Sequence, residues 1–167
     1  DLLVKAMDNI KKHAPNFKLY VIGDGSLRKN LQQLIKKLNL KDTVFLLGRV
    51  PTSVLIKYYN AADLFILPSY HEGHPMVILE AMASGLPILT TNYAANGEVP
   101  IGAAQIINHN ESGVVDVEFK KQYSYALLDL LNNPEQQEEM RQKGIDLVKK
   151  KYSWNVVVPM WEKLFFG

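Results

Sequence analysis

A chain of 167 residues, 47% apolar and 22% charged, is long enough for one domain with a real core and too apolar for intrinsic disorder. Nineteen Lys and Arg against 17 Asp and Glu leave a net charge of +2, too balanced for binding nucleic acid through bulk charge. With no cysteine there is no disulfide framework, thiolate zinc site or cysteine nucleophile, and no apolar run approaches the roughly 20 residues of a membrane-spanning helix. The lack of cysteine fits a reducing compartment, and the expected location is cytoplasmic. The chain enters an amphipathic pattern at Asp1 without a signal-peptide pattern or an initiator Met, which reads as a segment of something longer.

In chain order, Leu2, Leu3, Ala6, Met7 and Ile10 have helical spacing, and Pro15 ends that helix. Lys18 to Ile22 reads as a buried strand stopped by Gly23-Asp24-Gly25. Ser26 is the expected N-cap of the next helix, with a core stripe of Leu27, Leu31, Leu34, Ile35 and Leu38. A second strand, Thr43 to Leu47, ends at Gly48, and Pro51 opens a helix with Val54, Leu55, Tyr58 and Tyr59 on its apolar face. Leu64 to Leu67 is a third strand. A loop from Tyr70 to Pro75 leads into a helix over Met76 to Ser84, stopped by Gly85 in the left-handed conformation. Ile88 to Thr91 is a fourth strand, followed by a loop rich in Asn, Ala and Gly, a weaker strand near Gln105 to Ile107 and a further candidate at Val114-Val115. Helices are expected over Lys120 to Leu131, Pro134 to Lys150 and Trp154 to Phe165, the last kinked or started late by Pro159. Tyr58, Tyr59, Trp154 and Trp161 sit at helical spacing and are expected in the core.

Apolar strands alternating with helices predict a doubly wound α/β fold with a parallel sheet covered on both faces. In such sheets ligands bind beyond the carboxyl ends of the strands. That places the loops at Gly23 to Ser26, Gly48 to Pro51, Pro68 to Pro75 and Thr91 to Gly97 on the binding edge.

Glu72-Gly73-His74-Pro75 lies at this edge, before a helix whose N-terminus favours anions and phosphates. Glu80 lies about one turn inside that helix, so two carboxylates could face one ligand. The other reading makes Glu72 a helix cap and Glu80 a solvated side chain. Gly23-Asp24-Gly25 is a GxG without the third glycine of a dinucleotide fingerprint, Arg28 standing in its place. It reads either as a phosphate turn or as a tight turn into a helix. Arg49 could meet phosphate or a base, or be a surface arginine. His71 and His74 flank Glu72, but adjacent loop residues rarely converge on one ion, so no metal site is expected. Lys149, Lys150 and Lys151 read as a solvated helix end, with an anionic membrane surface as the alternative.

Several segments form an ordered series. They are Val21 to Gly25, Phe45 to Val50, Ala61 to Ser69, Glu72 to Pro75, Leu79 to Pro87 and Tyr152-Ser153-Trp154. Together they resemble the C-terminal, donor-binding domain of retaining glycosyltransferases of family 4, with the GT-B fold. The match spans nearly the whole chain, and Glu72 to Pro87 is its most specific part. The resemblance implies a Rossmann-like domain over residues 1–167 that binds a nucleotide-diphosphate sugar without metal or other cofactor. Glu72 is then catalytic, beside the donor sugar, and Glu80 holds the ribose. Gly73, His74, Pro75, Met76 and Val77 hold sugar hydroxyls and the diphosphate. Arg49 and Val50 approach the base, and Gly23 and Gly25 complete the donor site. Transfer proceeds with retention.

The family has an aromatic residue where His74 stands. Where the family has a Gly-Gly-hydrophobic-Pro-Glu turn, this chain departs and reads Tyr93-Ala94-Ala95-Asn96-Gly97-Glu98, with Glu98 aligned to the glutamate. The family also has a strand and a phosphate-gripping Gly-Arg and Lys-Gly before the helix that opens this chain. The resemblance therefore implies a wanting first strand, which leaves the strands at Lys18 to Ile22 and Leu64 to Leu67 beside a gap. It also implies an acceptor-binding N-terminal domain outside the chain, within an enzyme of roughly twice its length. The acceptor would be a glycan or lipid, with peripheral membrane association as a further expectation. The alternatives are a non-catalytic nucleotide-sugar-binding or interaction module and a sugar-nucleotide epimerase-type domain.

Overall fold

The computed structural model describes residues 1–69, 75–93, 95–108 and 117–167. In chain order the elements are α1 (Leu2–His13), β1 (Leu19–Ile22), α2 (Arg28–Lys37), β2 (Val44–Gly48), α3 (Thr52–Ala61), β3 (Phe65–Leu67), α4 (Met76–Ala83), β4 (Ile88–Thr91), α5 (Ala95–Glu98), β5 (Gln105–Ile107), α6 (Val117–Leu131), α7 (Pro134–Leu147), a π-helical turn (Val148–Tyr152) and α8 (Trp154–Phe166). They fall into two compact units, residues 1–58 with 112–132 and residues 59–111 with 133–167.

In the first unit β1 and β2 pair in parallel. The core is formed by two amphipathic helices. Val4, Ala6, Met7 and Ile10 of α1 are buried, as are Phe119, Tyr123, Ala126, Leu127 and Leu130 of α6. The α6 positions recur at the three- and four-residue spacing that lines one helix face. Helix α2 ends in a Schellman turn: Leu40 N–H donates to Ile35 C=O at 2.9 Å and Asn39 N–H to Lys36 C=O at 3.2 Å. Asn39 takes the left-handed position at φ 53°.

The second unit holds a parallel sheet in the order β3-β4-β5. Central β4, Ile88 and Leu89 followed by two β-branched threonines, is buried at all four residues. Helix α4 ends as the sequence predicts. Gly85 has φ 70°, its N–H donates to Met82 C=O at 3.0 Å, and Leu86 N–H donates to Ala81 C=O at 3.0 Å. Arg141 of α7 donates to Gly85 C=O. Gly144 lets α7 approach α4, since a Cβ there would lie 3.3 Å from Met82 Cγ.

Several expectations are corrected. Helix α2 begins at Arg28, with Leu27 rather than Ser26 at its N-cap position and no side-chain cap. Leu27 is exposed, and Ile35 is the buried residue of the expected stripe. The strand face is not covered throughout: Tyr20 is exposed, its ring stacked on Phe45 at 5.1 Å. The loop after β4 contains the short helix α5. The helix from Pro134 gives way at Val148 to the π-helical turn, where Lys149, Lys150 and Lys151 are exposed. Helix α8 starts at Trp154 and runs through Pro159. Trp154 and Trp161 are not core: 79% and 54% of their surface is exposed. Helical spacing sets which residues share a face but not whether anything lies against it. Val114-Val115 lies outside the described residues. Among the described residues β1 pairs with β2 alone and β3 with β4 alone.

Tyr123 is fully buried, yet among the described residues its hydroxyl has no hydrogen-bond partner. Desolvation pushes its pKa well above the ordinary value. Tyr123→Phe removes the orphaned group while keeping the ring. It is expected to stabilise the protein by about 1 kcal/mol, raising Tm by roughly 3 °C in calorimetry. Above about pH 10 an unfolded tyrosine ionises while Tyr123 stays protonated, so the native state binds more protons and its stability falls as pH rises. The variant should show a shallower alkaline loss.

Candidate functional site

In the first unit the carboxyl ends of β1 and β2 lie at one edge. Gly23 N–H donates to Gly48 C=O at 2.8 Å. Both glycines have positive φ, 126° and 73°, which side-chain-bearing residues rarely adopt. The register shifts just before this bridge: Val21 pairs with Leu46 but Ile22 with Gly48, so Leu47 is an extra residue on β2. Such a bulge bends a strand and re-aims the residues beyond it. On β2 these are Arg49, exposed, and Val50, half-buried. Gly25 sits on the neighbouring turn, where its N–H donates to the Asp24 carboxylate at 2.9 Å. Gly23 is thus brought beside the segment carrying Arg49 and Val50.

Arg28 ties this edge together. Its guanidinium donates to Leu46 C=O at 3.0 Å and stands 3.9 Å from the Asp24 carboxylate. It also lies over Gly48, where a Cβ would meet Arg28 Nη1 at 3.2 Å. The sequence marks Arg28 only as a departure from a glycine fingerprint. An open hollow of about 230 Å³ beside it is lined by Val21, Gly23, Asp24, Leu27, Arg28 and Leu46.

In the second unit the exit of β3 is fastened by side chains of neighbouring elements. Thr90 Oγ1 donates to Leu67 C=O at 3.0 Å, and Thr91 Oγ1 to Ser69 C=O at 2.8 Å. Buried Asn96 of α5 reaches the same Ser69 C=O at 3.4 Å. Pro75 is the N-cap residue of α4, with no side-chain cap. Ile78 N–H bonds back to Pro75 C=O at 2.9 Å. The amides of Met76 and Val77 precede the first intrahelical acceptor, so the helix geometry leaves them without an intrahelical partner. Met76 is exposed and Val77 half-buried.

Glu80 is exposed on the same helix. Its Oε2 accepts a hydrogen bond from Tyr59 Oη at 3.0 Å. Tyr59 is 8% exposed, and its ring lies 6.0 Å from that of Phe65. Burial, then the Glu80 partner, hold the phenol well above its ordinary pKa. Sequence reasoning missed this role for Tyr59. Its helical spacing identifies a core residue, while its partner lies 21 positions away. Glu72, Gly73 and His74 lie outside the described residues, as does the His71, Glu72 and His74 arrangement. Among the described residues no group of His, Asp or Glu is placed to hold a metal ion.

The chain matches the family described as glycosyl transferases group 1 over residues 1–147. It belongs to that family. This group 1 chain is 32% identical to an uncharacterised glycosyltransferase of Haemophilus influenzae over 163 residues, 97% of the chain and 44% of that protein. The chain thus spans less than half the length of that relative. Among solved structures it is similar to the pneumococcal O-GlcNAc transferase GtfA, solved with UDP and GlcNAc. The TM-score is 0.86 and the identity 23%, over 98% of this chain and 32% of that one. It is also similar to the C-terminal domain of a group 1 family protein, LpcC, from Francisella tularensis. There the TM-score is 0.76 and the identity 24%, over 92% and 78% of the two chains. At these identities the likeness speaks for the fold: the Rossmann-like α/β arrangement of the C-terminal half of GT-B, as the sequence leads one to expect. No described helix of this group 1 chain is long and apolar enough to cross a membrane.

Proposed function

We propose that the chain is the donor-binding part of a retaining hexosyltransferase, holding a nucleotide-diphosphate sugar for transfer to a glycan or lipid acceptor. The observation that carries this reading is Glu80: an exposed carboxylate held at one oxygen by Tyr59, on the helix whose N-terminus presents the uncapped amides of Met76 and Val77. A carboxylate suits the paired hydroxyls of a ribose, and free amides at a helix N-terminus suit a diphosphate. Glu72 is proposed at the donor sugar, with Gly73 and His74 on its hydroxyls and Pro75 setting the entry into α4. Arg49 and Val50 are proposed at the base, beside the Gly23 and Gly25 turns.

Same-face attack through an oxocarbenium-like transition state leaves a nucleoside diphosphate, whose growing charge the amides and basic side chains stabilise. No metal or other cofactor enters this proposal. The UDP in the GtfA complex supports a nucleoside diphosphate as ligand. The length of the Haemophilus influenzae relative supports a longer enzyme; its N-terminal part is proposed to bind the acceptor. The 167-residue chain alone is then expected to bind nucleotide weakly and not to turn over. A cytoplasmic location, with peripheral attachment to anionic lipid, is proposed on the exposed run of Lys149 to Lys151.

The test is a thermal-shift screen of the full-length protein with UDP, GDP, ADP and their sugar conjugates. A ligand that binds the native state alone raises the midpoint by mass action, by about 2.7 kcal/mol at a hundred times its Kd. One nucleotide should do so, and transfer should then require an acceptor. The absence of any shift at millimolar concentration would overturn the reading. Release of free nucleotide without an acceptor would point to epimerase-type chemistry.

A further inference from the structure

We infer that Tyr59 is a positioning residue for nucleotide recognition: its phenol fixes the Glu80 carboxylate so that the other oxygen is free to accept from a ribose 2′,3′-diol. This deepens the donor-binding reading and rests on it. Tyr59 Oη and Glu80 Oε2 are 3.0 Å apart, and among the described residues Glu80 Oε1 takes no hydrogen bond. The two side chains differ sharply in exposure. Tyr59 is buried and packed against Phe65, whereas Glu80 is exposed.

An exposed glutamate samples several rotamers, and ordering it on binding costs on the order of 1 kcal/mol. A rigid donor spends that entropy during folding instead. The phenol serves as a lasting donor because burial keeps it protonated far above neutral pH. Its single proton satisfies one carboxylate oxygen. Oε1 is left with its lone pairs directed at a ligand carrying two adjacent hydroxyl donors, which a ribose has and a 2′-deoxyribose lacks.

The experiment measures binding of UDP, GDP and ADP to the full-length protein by isothermal titration calorimetry. The 2′-deoxy form of whichever nucleotide binds is measured alongside. Tyr59→Phe keeps the ring against Phe65 and removes the proton donor alone. It is expected to weaken the ribonucleotide about tenfold, to change binding of the 2′-deoxy form less than twofold, and to leave Tm near that of the parent. In a Glu80→Ala background the same substitution should cost nothing further, the mark of two residues acting as one unit. Unchanged ribonucleotide affinity in Tyr59→Phe would overturn the inference. So would an equal loss for the ribo and deoxy forms, or an undiminished loss in the Glu80→Ala background. If the parent protein binds none of the three nucleotides, the donor reading itself fails and this inference with it.

Discussion

Leu127→Ala is expected to lower stability by about 2–5 kcal/mol, a fall in Tm of roughly 5–15 °C by calorimetry. Leu127 is fully buried on α6, on the same face as Phe119, Tyr123 and Leu130. Helix α1 packs against α6 and carries Met7 and Ile10, also fully buried. Truncation removes the transfer energy of three carbons and leaves a cavity between two helices that are already ordered. Neighbouring side chains can close it only partly, because α6 is fixed at several points along that face. A drop below about 1 kcal/mol would mean that the two helices slide together, and that the α1–α6 core is looser than its burial implies. Ile10→Val, removing one methylene from the facing helix, should cost only about 0.5–1.5 kcal/mol.

Glu80→Ala should have the opposite profile. The carboxylate is exposed, so the fold loses little. Tyr59 keeps its packing against Phe65, and its hydroxyl can turn to water. Nucleoside diphosphate affinity is expected to fall about ten- to a hundredfold, the loss of charge-assisted hydrogen bonds worth about 1.5–3 kcal/mol. In the full-length enzyme the loss should appear in the donor KM with kcat nearly unchanged, because the ribose does not alter on the way to the transition state. Glu80→Gln keeps an acceptor without the charge and should fall between the two. A large drop in kcat at unchanged KM would move Glu80 from holding the donor to the bond-breaking step.

Local chemistry made much of this fold legible. Gly85 reads as a left-handed helix stop because few other residues tolerate φ near its 70°. Ile88 to Thr91 reads as a strand because apolar and β-branched residues fill it, and its two threonines stay buried because their hydroxyls donate to Leu67 and Ser69 C=O. The edge that carries Gly23, Arg49 and Val50 follows from the parallel order of the strands. The features that stayed hidden depend on distance in sequence. Arg28 reaches Leu46 across 18 positions, and Tyr59 reaches Glu80 across 21; no local pattern encodes either meeting. Trp154 and Trp161 show the converse limit. Their spacing describes an amphipathic helix faithfully, but whether that helix is covered is a property of its surroundings.

Helix α8 also bears on how the protein behaves as a colloid. Trp154, Met160, Trp161, Leu164, Phe165 and Phe166 all stand open to solvent, while the net charge of the whole chain is only +2. Mutual repulsion between such molecules is feeble, and moderate salt screens most of it within about 10 Å. The attraction between greasy helices is not screened by simple salts, and sulfate or phosphate strengthens it. Concentrating the 167-residue chain, or salting it with sulfate, is expected to drive self-association through the open apolar side chains of α8.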